Sequence, residues 1–187
     1  MKKFSLYLAY CLMVIVVFAG CDSKESSDSV LLSVLNSETS FVDESGNSFL
    51  LKNYELDDTE IQAVAEKYAF IDFDGDGTNE LIAHLNPDYG AYIVFRIYNG
   101  KVYGFEFAER AMLNLKKDGT FIQSSGAANN SIAGIEFEGD KYKLAEKAYE
   151  DDAEGTYRLN GEPSDDETVG KAFDEQDEKP SVNWTEI

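Results

Sequence analysis

The sequence predicts an α+β domain, an antiparallel β-meander flanked by short N-terminal helices and one C-terminal helix. Three observations carry that reading. Between residue 91 and about residue 160 apolar side chains alternate with a period of two, broken by Asn-Gly and Asp-Gly turns. Towards both ends the period lengthens to that of a helix, behind acidic capping residues. Finally, 187 residues that are 43% hydrophobic and 13% aromatic suffice for one core and are too apolar for a disordered acidic tail.

In chain order, residues 1–20 read as a secretory signal peptide. Lys2 and Lys3 precede an uncharged stretch from Phe4 to Ala19, after which the composition turns abruptly polar at Asp22. The ending Phe18-Ala19-Gly20-Cys21 resembles a bacterial lipoprotein signal, with Phe18 where Leu is usual, and the resemblance implies that Cys21 is lipidated. An uncleaved membrane anchor is the alternative, since the run sits at the lower limit for spanning. Cys21 and the apolar-free segment 22–29 form a lipidated tether, and residues 30–187 form a single extracytoplasmic domain.

A first helix starts near Asp28 or Ser29 and carries Leu31, Leu32, Val34 and Leu35. A second is expected behind Asp57-Asp58-Thr59-Glu60, with Ile61, Val64, Ala65 and Tyr68 at i, i+3, i+4, i+7. The strand Ala91 to Tyr98 turns through Asn99-Gly100 into Lys101 to Ala108, because both turn residues tolerate positive φ. That turn pairs Arg96 with Tyr103 and Tyr92 with Phe107 on one face, and Phe95 with Gly104 on the other. Both faces are largely apolar, so the hairpin is either covered on both sides or curled towards a half-barrel. Gly104 is expected to mark a bulge that turns Glu106 to solvent. Further strands follow the turns at Asp118-Gly119 and Gly139-Asp140, and another spans Thr156 to Asn160. The last helix opens at Ser164-Asp165-Asp166-Glu167 and buries Val169, Ala172 and Phe173, with an edge strand around Trp184 beyond it.

Sixteen Lys and Arg against 36 Asp and Glu leave a net charge of −20, or −22 once residues 1–20 and their two lysines are removed. Such a surface repels nucleic acid and anionic lipid, so the membrane is expected as a partner only through the lipid. One His and two Cys leave little for a zinc site or a Cys/His catalytic pair. Hard cations suit the composition better.

Asp72-Phe73-Asp74-Gly75-Asp76-Gly77-Thr78-Asn79-Glu80 is the one motif with chemistry in it. Ca²⁺ takes six to eight oxygens, and acids at alternate positions of a tight loop can supply them around a glycine reversal. Position 12 is Ala83, where an EF-hand needs its bidentate Glu, and the flanks read as strands. The stretch instead resembles the strand-loop-strand calcium loops of FG-GAP/VCBS-type extracellular proteins. That resemblance implies Ca²⁺ as cofactor, with Asp72, Asp74, Asp76, Thr78 and Glu80 as ligands. The plain alternative is a hairpin whose Asp-Gly dipeptides only make turns.

Other features carry less. His84 reads as structural, and Tyr92, Arg96 and Tyr103 could floor a pocket for a planar or sugar-like ligand, though such a stripe more often belongs to a core. The loop 124–130, Ser-Ser-Gly-Ala-Ala-Asn-Asn, offers small polar groups. Nucleophile-elbow, zincin, P-loop and dinucleotide-binding patterns are all absent. Taken in order, the lipoprotein signal, the DxDxDG loop, YNGKVYG (98–104), LKKDGTF (115–121), SSGA (124–127) and the late Trp resemble an uncharacterised group of Gram-positive bacterial lipoproteins. That group has no assigned activity, so the resemblance implies location and architecture alone. The expectation is a lipid-anchored, cell-surface calcium-binding module, facing outside the cytoplasm, with a non-catalytic binding role towards an envelope or extracellular ligand. A surface hydrolase of glycan or peptide, working with carboxylates that the sequence does not single out, is the alternative.

Overall fold

The structure, a computed structural model, describes residues 26–56, 60–86 and 90–187. The signal segment, Cys21, residues 22–25 of the tether and the capping residues Asp57-Asp58-Thr59 lie outside the described residues. In chain order the elements are α1 (Ser27–Leu35), β1 (Phe41–Val42), β2 (Ser48–Phe49), β3 (Ala65–Ile71), β4 (Glu80–Leu85), β5 (Ala91–Tyr98) and β6 (Lys101–Phe107). There follow β7 (Phe121–Ser124), β8 (Asn129–Glu138), β9 (Lys141–Asp151), β10 (Thr156–Leu159), β11 (Glu162–Pro163), α2 (Asp166–Glu178) and β12 (Thr185–Glu186).

The strands form two open sheets. One has the order β12-β3-β4-β5-β6-β1-β2, the other β11-β10-β9-β8-β7. Within each, consecutive strands pair antiparallel as a meander, and only the short β1 joins β6 in parallel. The molecule is therefore α+β, and of the two expectations for the central hairpin the covered one holds. Ile93 and Phe95 face a core shared with Leu31 and Val34 of α1. Val94, Phe105 and Phe107 face Phe121, Ala133 and Ile135 of the second sheet. On that sheet's far side Ile132 and Ala148 receive Val169 of α2. The layers run α1, first sheet, second sheet, α2, which leaves neither apolar face of β5 exposed to water.

The β5–β6 register is the one dictated by Asn99-Gly100, with Tyr98 opposite Lys101 and Arg96 opposite Tyr103. Both helices are capped from the sequence. Ser26 accepts from the Ser29 amide, so α1 takes up the last residues of the expected tether. Asp165, one residue later than expected, accepts from the Thr168 amide at the start of α2.

Two local expectations fail. No helix forms over 60–68; that stretch enters β3, paired from Ala65↔Leu85 to Ile71↔Glu80. The helical spacing of Ile61 and Val64 was coincidental, for these side chains are 39% and 60% exposed and do not face the core. Strand pairing on both edges of β3, by β4 and β12, outweighs the local pattern. Gly104 makes no bulge, since β5 and β6 run in unbroken register past it. It is a notch: a Cβ there would sit 2.5 Å from the Phe41 ring. Glu106 is accordingly half-buried and accepts a 3.0 Å hydrogen bond from the Tyr54 hydroxyl.

Candidate metal centre

Ile71 and Glu80 face each other as the last pair of β3 and β4, so residues 72–79 close a loop on a fixed strand base. Phe73 anchors it, 6% exposed in the core between the sheets. Gly119 fits against this anchor, and a Cβ there would approach the Phe73 Cα to 3.0 Å. Gly77, at φ +85°, provides the reversal that an L side chain resists.

The acids turn inward because the loop backbone donates to them. Asp72 Oδ2 accepts from Gly77 N at 2.9 Å, Asp74 Oδ1 from Asp76 N at 3.2 Å, and Asp76 Oδ1 from Thr78 N at 2.7 Å. Glu80 Oε2 accepts from Phe73 N at 3.2 Å. The result is a cluster in which one carboxylate oxygen each from Asp72, Asp74 and Glu80 lie within 4.8 Å of one another. Glu80 is 1% exposed, and burial pushes its carboxyl up to about 7. Neighbouring Asp74 and Asp76 raise it further, while the Phe73 amide and Arg96 pull it down.

Asp72 Oδ1 is shut off from water and has no hydrogen-bond partner among the described residues. An unsatisfied buried oxygen costs about 1–3 kcal/mol, more when charged. A hard cation bound between Asp72, Asp74 and Glu80 would satisfy it, so the donor set fits one. Of the other expected ligands, Asp76 is exposed and its carboxylate is outside that three-carboxylate cluster, and Thr78, expected to offer its backbone carbonyl, is exposed as well.

Arg96 faces Tyr103 across β5–β6 as the turn register predicts, and its guanidinium reaches into the loop. Nη1 lies 3.4 Å from Asp74, Nη2 3.5 Å from Asp76 and Nε 4.0 Å from Glu80. Its other side covers the Phe137 ring of β8 at 4.3 Å. The pairing Leu81↔Phe95, continued by one step, places Arg96 opposite Glu80, a cross-strand neighbour that only the β4–β5 register reveals. The expected pocket floor is dispersed. Tyr92 stacks on Trp184, with ring centroids 6.2 Å apart, and meets the tilted His84 ring at 4.9 Å. Tyr103 opens on a separate groove of about 470 Å³ with Asp43, Lys101 and Tyr142. His84, expected to be structural, holds its Nδ1 3.0 Å from a Glu66 carboxylate oxygen.

The loop also touches the second sheet. Asp72 and Asp74 share a cavity of about 280 Å³ with Asp118, Thr120 and the β8 residues Gly134, Ile135 and Glu136. No family model, curated protein or solved structure matches the chain. Among the described residues no helix is long and apolar enough to cross a membrane.

Proposed function

We propose that the chain is a lipid-anchored, extracytoplasmic module that binds Ca²⁺ in the β3–β4 loop and serves a non-catalytic binding role. One observation carries the calcium reading: oxygens of Asp72, Asp74 and Glu80 converge within 4.8 Å, and the buried Asp72 Oδ1 has no donor among the described residues. An all-oxygen donor set selects a hard cation, and the DxDxDG spacing favours Ca²⁺ over Mg²⁺, which demands tighter octahedral geometry. Because the loop lies where the two sheets meet, the ion would act as a clip that ties β3–β4 to β8. The anchoring half of the proposal rests on the charge-free segment ending at Cys21.

Calorimetric titration of the chain from Asp22 onward tests the ion. The expected Kd is on the order of 10⁻⁴–10⁻³ M, and Asp72→Asn/Asp74→Asn abolishes the heat. Unchanged binding in the double variant moves the site elsewhere. Absence of any heat or thermal shift in metal-stripped protein sinks the calcium reading. For the anchor, Cys21→Ser should shift the expressed protein from the membrane fraction to the soluble one.

A further inference from the structure

We propose that Arg96 is the built-in counter-ion of the β3–β4 loop, and that its charge sets how tightly the loop holds a divalent cation. The proposal rests on the calcium reading above and goes beyond it, from which residues hold the ion to what opposes it.

Four acids stand within nine residues of this loop, and Arg96 is the one basic side chain paired with them among the described residues. Its three nitrogens address three different carboxylates, one of them the buried Glu80. The guanidinium is not a surface group that has swung over. Its side chain is 14% exposed, fixed on β5 at one end and set over the Phe137 ring at the other. A cation held by Asp72, Asp74 and Glu80 would therefore share two of its ligands with Arg96.

Two electrostatic effects follow, and they have the same sign. With no metal bound, Arg96 relieves the mutual repulsion of the carboxylates, which stabilises the empty loop and lessens what an ion has to offer. With metal bound, its positive charge repels the ion. At roughly 6 Å even the dielectric constant of water leaves a unit charge costing a divalent ion about tenfold in affinity. Removing the charge at position 96 should thus tighten calcium binding while weakening the metal-free fold. A residue that merely orients the ligands would do the reverse to affinity.

The experiment compares wild type, Arg96→Gln, Arg96→Met and Arg96→Lys by calcium calorimetry and by melting in EDTA. Arg96→Gln and Arg96→Met should bind Ca²⁺ about tenfold more tightly or more, and melt lower in EDTA. Arg96→Lys, which keeps the charge, should bind within about threefold of wild type. Equal or weaker binding by the neutral variants, when wild type does bind, overturns the proposal and leaves the calcium reading standing. Binding by the neutral variants alone supports the proposal and withdraws calcium as the resident ion. If no variant binds, both fall. Should the neutral variants fold only with calcium present, the ion replaces the guanidinium and the proposal stands. If they fold under neither condition, Arg96 is a strut that no cation replaces, and the proposal is wrong.

Discussion

Two acid-rich regions of this molecule use the same side chains to opposite ends. In the loop 72–80, three of the four acids converge within 4.8 Å, and Glu80 is driven almost out of water. In the segment 150–187, thirteen acids face three bases, yet nearly all of them are exposed and several answer to a local need. Asp165 caps α2, and the Thr168 amide and hydroxyl hold its carboxyl below the usual range. Glu167 pairs with Lys171 one turn on, and Asp177 accepts from Asn114. A count of charges does not separate the two regions. What separates them is whether carboxylates converge where solvent cannot screen them.

The sharpest test of that contrast is charge-matched. Neutralising Asp72, Asp74 and Glu80 as Asn, Asn and Gln removes three negative charges, and so does converting the exposed Glu154, Glu162 and Glu175 to Gln. Only the first set should lose calcium binding, by at least about a hundredfold in calorimetry, since it removes the proposed ligands. An equal loss in both would mean that diffuse charge, and not the loop, attracts the ion.

The pH dependence of the metal-free protein comes next in size. Glu80 titrates near 7 in the folded chain against 4.5 ordinarily, so between those values the folded state binds the extra proton. Stability in EDTA should then fall as pH rises from about 5 to 7.5, by up to about 3 kcal/mol, opposite to the behaviour of the capping Asp165. Glu80→Gln should flatten the profile. Calcium should lose affinity below pH 7, because its binding must expel that proton. A melt that rises monotonically from pH 5 to 7.5 in EDTA would contradict the burial assigned to Glu80. Smaller again is the gain from metal. At 10 mM Ca²⁺ and a Kd near 10⁻³ M, linkage adds about 1.4 kcal/mol, or roughly 3–6 °C in Tm.

What could be read from the residues was whatever the chain decides locally. Asn99-Gly100 set the whole β5–β6 register, the acids ahead of Val169 announced α2, and the spacing from Asp72 to Glu80 marked the loop. What escaped depended on partners far along the chain. The strand at 65–71 was hidden by an accidental helical spacing, which only pairing with β4 and β12 overrides. Gly104 looked like a bulge until Phe41, 63 positions earlier, proved to fill its notch. Arg96 could be placed only beside aromatic residues, as a pocket floor or a core stripe, because its neighbour across β6 was legible and its neighbour across β4 was not.

The smallest expected effect falls on the exposed side of the comparison and decides whether those acids matter locally. Asp165→Ala removes the acceptor for the Thr168 amide and exposes the first turn of α2. The helix still has Val169 buried against Ile132 and Ala148, so the layer stays in place and Tm should drop by only about 2–4 °C. Asp165→Asn, which keeps an accepting oxygen without the charge, should recover most of that drop. Calcium affinity should not change in either variant, because α2 lies on the far face of the second sheet from the loop. If Asp165→Asn melted as low as Asp165→Ala, the charge and not the cap would be at work. The acids of 150–187 would then have to be treated as one field, as the loop acids are.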